Sequence, residues 1–138
     1  MNTSKSLSNY ELRYSRQILA LGEEFNLKLK RFDILIYGLR AVGCEVAKNL
    51  ATIGVRKLHI FDPKITSNLD LSYNPLLSQH QVGKLRRDFA ILNSIKEINS
   101  EVIVEVAEFD PMKDFTHLRG FHVIIFTEML NIDYVNNV

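Results

Sequence analysis

A single cysteine, Cys44, stands in the 138 residues of this chain. One thiol permits neither an internal disulfide framework nor a Cys-x-x-Cys zinc site. The four histidines, His59, His80, His117 and His122, have no metal-ligand spacing among them, so no metal site is expected. No apolar run approaches the roughly 20 residues that a membrane-spanning helix needs. Net charge is scarce too. Seventeen basic residues against sixteen acidic ones leave +1, too little for a nucleic-acid or membrane surface driven by bulk electrostatics. The opening "MNTSKSLSN", residues 1–9, lacks the apolar core of a secretory signal and is expected to be a disordered lead-in. A reduced, intracellular setting is the simplest expectation.

What is present is ordinary for one globular domain: 46% hydrophobic and 24% charged residues. Tyr10, Tyr14, Ile18 and Leu21 repeat at helical spacing, and Gly22 ends the run before a second short helix, "EEFNLKLKR". "FDILIY" has the consecutive apolar residues of a parallel strand buried on both faces. "VGCEVAKNLATIG" predicts a helix with Gly54 as its C-cap. "KLHIF" follows as a strand, and the strand–helix–strand unit of about 28 residues suits one right-handed crossover. Residues 63–82 are polar and turn-rich, a loop long enough to suggest function. The spacing of Leu85, Phe89, Leu92 and Ile95 predicts a helix over "GKLRRDFAILNSIKEIN". "EVIVEVAEF" and "FHVIIF" predict two more strands, the last apolar enough for the centre of a sheet, and "NIDYVNNV" predicts a further helix. The expected architecture is therefore a Rossmann-like, doubly wound α/β fold with a mainly parallel sheet and an N-terminal helical lead-in. The sheet is expected to be cut off before it is complete.

The turn "GLRAVG" is the first candidate site. It follows an apolar strand and opens a helix, as a dinucleotide fingerprint does. In that fingerprint the second glycine lets the backbone approach a pyrophosphate. Arg40 stands there instead, and Ala41 follows it. Gly38 and Gly43 remain, in roles that serve the turn and close helix–strand packing. Asp62 ends the second strand 24 residues after Gly38, near where an acid would meet a ribose hydroxyl. Two readings stand: a retained scaffold whose phosphate seat Arg40 closes, and a self-sufficient nucleotide site using Gly38, Arg40, Gly43 and Asp62, since guanidinium suits phosphate.

Arg16 is the second candidate. On a helix it shares a semi-apolar face with Leu12 and Leu19. Such an arginine either snorkels to water or is presented at an interface, where its planar fork could reach a partner's phosphate. The pattern alone leaves both open.

"YSRQILALG", "ILIYGLRAVGCEVAKNLATIGV", "LHIFD", "DLSYN", "VGKLR" and "ILNSI", in this order and spacing, resemble the N-terminal, inactive adenylation half of eukaryotic ubiquitin-activating enzymes. The resemblance runs from Tyr14 through nearly all of the chain. It implies that residues 10–138 are the N-terminal part of a ThiF-like domain packed on a related, active half as a pseudo-dimer. In that family the active half binds MgATP and the C-terminus of ubiquitin and forms the ubiquitin adenylate. A cysteine in a separate domain then accepts ubiquitin for transfer to a conjugating enzyme. Active halves carry an asparagine–arginine pair after the second strand; here Asn74 has no arginine following it, although Lys84 is kept. The resemblance implies a role for Arg16 in trans, directed at the ATP phosphates of the active half. It also implies ubiquitin and conjugating enzymes as partners through the full enzyme, and a place in the cytoplasm and nucleus. The regulatory subunit of a SUMO- or NEDD8-type activator is the nearest alternative.

The remaining candidates have plainer expectations. Cys44 lies at a helix start, where a dipole can lower a thiol's pKa, but packing as a small hydrophobe is the expectation. It does not match the family's thioester cysteine. His59 and His122 should be satisfied core or edge residues. Glu45 suits the start of a helix, and its family counterpart helps join the two halves. "KLRR", Lys84–Arg87, is expected to be a solvated helix face.

Overall fold

The computed structural model describes residues 8–130 and residue 133. The expected lead-in before Ser8 and the expected helix from Asn131 onward lie outside the described residues, apart from Asp133 and the start of the first helix. Helix α1 (Asn9–Leu21) begins with a capping box: the Ser8 hydroxyl accepts from the Glu11 amide while the Glu11 carboxylate accepts from the Ser8 amide. Gly22 closes it at φ 87 and leads directly into α2 (Glu23–Leu29).

Strand β1 (Asp33–Tyr37), helix α3 (Ala41–Ile53) and strand β2 (Lys57–Phe61) form the expected crossover unit. Gly54 ends α3 in the left-handed conformation, as its glycine predicts. After β2 come the short helix α4 (Asn68–Leu71) and a 3₁₀ turn at Gln79–Gln81. Helix α5 (Phe89–Ile98), strand β3 (Ile103–Val106), a 3₁₀ turn (Thr116–Gly120) and strand β4 (Val123–Phe126) complete the described elements.

The four strands lie in the order β3-β2-β1-β4, and every pairing is parallel. Ile34, Ile36, Leu58, Ile60 and Val104 point to one face, where Cys44, Ala47 and Ala51 of α3 and Ile91, Leu92 and Ile95 of α5 bury them. Small residues on α3 let the helix lie close to the sheet. The other face carries a smaller cluster of Leu35, Phe61, Ala107 and Leu118, flanked by Tyr37, Phe109, Phe121 and Ile124.

One expectation fails here. The helix predicted over residues 83–99 begins only at Phe89. Residues 83–86 instead run back along residues 64–66: Ile65 and Leu85 form an antiparallel bridge, and the Arg86 amide donates to Lys64 O at 2.9 Å. Leu85 is therefore exposed rather than part of a helical stripe. Strand β4 is the outermost of the four described strands, paired with β1 on the side away from β2.

Candidate functional site

The chain lays β1, β2 and β3 side by side in one direction and then places β4 on the other side of β1. That reversal makes a topological switch point at the carboxyl ends of β1 and β4, where open α/β sheets bind ligands. Gly38 leaves β1 there at φ 96, a conformation that favours glycine. A Cβ on Gly43 would fall 2.0 Å from Gly38 O, so the helix can start this close to the turn only with glycine. Gly38 and Gly43 thus perform the structural roles that the sequence assigns them. Thr127 clamps the turn, its hydroxyl lying 3.0 Å from both Tyr37 O and Gly38 O.

Asp62 and Arg40 stand differently. Asp62 is 1% exposed. Its Oδ2 accepts from the Leu39 amide at 2.7 Å and its Oδ1 from the Lys64 amide at 2.8 Å. The carboxylate ties the glycine turn to the loop beyond β2 and is enclosed by those partners. Arg40 is exposed, and its Nη2 donates to the Tyr73 hydroxyl at 2.9 Å. What fills the space over Gly38 is Glu128, since a Cβ at Gly38 would meet Glu128 Cγ and Thr127 Oγ1 at 2.7 Å.

Beneath lies a residue that the sequence reading misplaced. Arg86, expected on a solvated helix face, is 7% exposed. Its Nη2 holds both carboxylate oxygens of Asp70 at 3.1 Å, with Nε 3.3 Å from Oδ2. Its Nη1 faces Asp62 at 3.6 Å and Glu128 at 3.9 Å. Lys64 closes the group by donating to Glu128. Three acids thus converge on Arg86 from separate parts of the chain. A charge run such as "KLRR" is ordinarily solvated, and only the acids just beyond β2 and β4 hinted that a buried counter-ion was needed. Its neighbour Arg87 lies over the Phe61 ring at 4.7 Å.

Asp70 sits at the centre of this electrostatics. Burial by itself would raise its pKa. The Ser67 amide, the hydroxyls of Tyr73 and Ser67, and the Arg86 guanidinium together outweigh burial and hold the carboxyl well below the usual carboxylate range. A continuous chain of contacts runs from surface Arg40 through Tyr73 and Asp70 to Arg86. Asn74 is buried as well, donating to Leu39 O at 3.1 Å and to the Cys44 sulfur at 2.8 Å.

Glu128 lies over the glycine turn, and the acids Asp62, Asp70 and Glu128 face the cations Arg86, Lys64 and, at the surface, Arg40. What stays open is a shallow cavity of about 310 Å³ lined by Arg40, Ala41, Val42, Tyr73 and Thr127. Among the described residues no group of three or more His, Cys, Asp or Glu is arranged to hold a metal.

The other candidates are packed or paired locally. Cys44 is fully buried, and burial pushes its thiol up to about 12, with the Asn74 hydrogen bond opposing the rise. We expect alkylation of the folded chain at pH 8 to run roughly a thousandfold slower than for a free cysteine. Iodoacetamide labelling followed by mass spectrometry checks this, with guanidinium unfolding restoring the free rate. His59 packs edge-on to Phe121 at 4.8 Å, and burial lowers its pKa, with Lys57 adding to the effect. His122 Nδ1 accepts from the Asp33 amide at 3.1 Å. His117 pairs with Asp114, His80 is exposed, and Glu45 pairs with Lys48.

Arg16 lies apart from all of this. Besides packing on α2, α1 bonds to the C-terminal ends of α3 and α5, at the end of the domain opposite the strands' carboxyl ends. Its neighbours on the outward face, Leu12 and Leu19, are 59% and 89% exposed. Arg16 is itself exposed and has no ion pair among the described residues.

Parallel strands crossed by helices, with a glycine turn at the switch point, define a Rossmann-like α/β domain. Residues 14–135 match the ThiF family, and the chain belongs to that family. It is 38% identical over 133 residues to ubiquitin-activating enzyme E1 1 of Candida albicans, covering 91% of this chain and 13% of that protein. To ubiquitin-activating enzyme E1 1 of Triticum aestivum it is 34% identical over 116 residues, covering 84% of this chain and 11% of that protein. The chain thus spans about an eighth of the length of these relatives. Among solved structures, MccB of E. coli superimposes with a TM-score of 0.76 at 26% identity, over 95% of this chain and 39% of that one. Among the described residues no helix is long and apolar enough to cross a membrane.

Proposed function

We propose that this chain is a non-catalytic adenylation half of a ubiquitin-activating enzyme. It packs on an active half as a pseudo-dimer and supplies Arg16 in trans to that half's ATP site. The observation that carries the proposal is the division of labour within the domain. The switch-point site is filled by Glu128 and the Arg86 cluster, while Arg16 is held out on an apolar helix face with no partner of its own among the described residues. A cation between exposed leucines suits a protein interface better than a solvated surface. The similarity to ubiquitin-activating enzymes supports ubiquitin as the modifier, with MgATP as the cofactor of the active half. Conjugating enzymes are then partners of the whole assembly.

The proposal is tested by ATP–pyrophosphate exchange in the assembled enzyme carrying Arg16→Ala. Loss of exchange supports it, and unchanged exchange removes the role in trans. The filled switch point is tested separately by calorimetric titration of this chain with MgATP. We expect no heat up to millimolar nucleotide. Micromolar binding that is lost in Asp62→Ala would establish a live site at the glycine turn and overturn the non-catalytic reading.

A further inference from the structure

Helix α1 is fastened to the domain through polar groups on one face. The Arg13 guanidinium donates to Ile98 O at 3.2 Å, and Gln17 Nε2 donates to Ile53 O at 3.1 Å and to Asn26. Between them Tyr14 is 2% exposed, and its hydroxyl accepts from Asn99 Nδ2 at 2.7 Å. Asn99 Nδ2 also donates to Ala51 O at 2.9 Å, and its Oδ1 accepts from the Glu101 amide at 3.2 Å. These carbonyls belong to the last turns of α3 and α5, where backbone acceptors have no partner within the helix. The α1 side chains supply partners for Ile53 O and Ile98 O, while Ala51 O accepts from Asn99 as well as from the Gly54 amide.

The seat for Tyr14 is narrow. A Cβ on Gly54 would lie 2.3 Å from the Tyr14 hydroxyl, so the phenol fits only because the C-cap of α3 is glycine. Lys30 Nζ lies 4.7 Å from the Tyr14 ring centre and reaches its hydroxyl at 3.4 Å. Arg13, Tyr14 and Gln17 share one face of the helix, and at 100° per residue Leu12, Arg16 and Leu19 share the opposite one. Fixing the first face fixes the rotation of α1 and so the direction of Arg16.

We infer that Tyr14, seated between Gly54 and Asn99, is a positioning residue for Arg16. The inference rests on the proposed role of Arg16 in trans. Tyr14 touches no reacting group. It acts by holding α1 in one rotation, which keeps the guanidinium on a single bearing towards the partner half. A misplacement of about 1 Å at a reacting centre can cost on the order of a hundredfold in rate.

A double-mutant cycle in the assembled enzyme tests this, with ATP–pyrophosphate exchange as the readout and far-UV circular dichroism as a check on folding. Tyr14→Phe keeps the ring and removes the hydroxyl. We expect it to lower kcat about tenfold, with KM for MgATP within about twofold of the parent enzyme. In an Arg16→Ala background, Tyr14→Phe should add nothing, because its effect passes through Arg16. If Tyr14→Phe lowers exchange equally in both backgrounds, or leaves it unchanged while Arg16→Ala lowers it, the positioning role is overturned and the role of Arg16 stands. If Arg16→Ala itself has no effect, both ideas fall. Should Tyr14→Phe not fold, Gln17→Ala loosens the same face and is read by the same cycle.

Discussion

Arg16→Ala is expected to lower ATP–pyrophosphate exchange of the assembled enzyme about a hundredfold, the scale of removing one preorganised charge-stabilising group. The expected loss falls on kcat, since a cation that meets the phosphates as charge redistributes acts more strongly in the transition state than in the ground state. Arg16→Lys is expected to recover only part of the rate. An ammonium keeps the charge but not the planar fork that can hold two phosphate oxygens at once. Thioester formation should fall with exchange, as adenylation comes first. Folding is expected to be untouched, because Arg16 is exposed and outside the contacts that fasten α1. Identical exchange in Arg16→Ala and parent enzyme would end the proposal.

Arg86→Ala is expected to have the largest effect on stability, about 3–5 kcal/mol by urea denaturation of the chain, because it leaves carboxylates buried without their counter-charge. Asp62 and Asp70 are each 1% exposed, so water cannot take over from the guanidinium. Arg56→Ala is the control. It breaks an ion pair with Asp33 in which the arginine side chain is 50% exposed, and such pairs contribute about 1 kcal/mol or less. Equal denaturation midpoints for the two variants would mean that the cluster does not hold the loop.

The same cluster sets an acid limit. Because the Asp70 pKa is lowered in the folded chain, its contribution to stability is present in full above the unfolded carboxylate value of about 3.9. It is lost as the pH falls from there towards the lower folded value. Asp70→Asn should therefore be less stable at pH 7 and show a flatter decline between pH 5 and 2. Parallel stability–pH curves for parent and variant would contradict this.

The crossover unit was legible because its signals are local. Three consecutive apolar residues at Ile34–Ile36 suit a doubly covered strand, and Gly54 suits a left-handed cap, whatever surrounds them. The tight packing of Gly43 on Gly38 was legible for the same reason. Leu85 misled, because one apolar residue at helical spacing cannot report that its backbone bridges to Ile65. The place of Arg40 in the fingerprint is legible, but not that its guanidinium bonds the hydroxyl of Tyr73, 33 residues away.

By itself the sequence determined the alternation of strands and helices, the glycine turn and the ThiF-family pattern, since each is written in residues a few positions apart. Only the tertiary structure decided the rank of β4, the burial of Arg86 and the outward bearing of Arg16. Each of those depends on groups brought together across 16 to 89 residues of chain. No local spacing encodes which charge is desolvated when such segments meet.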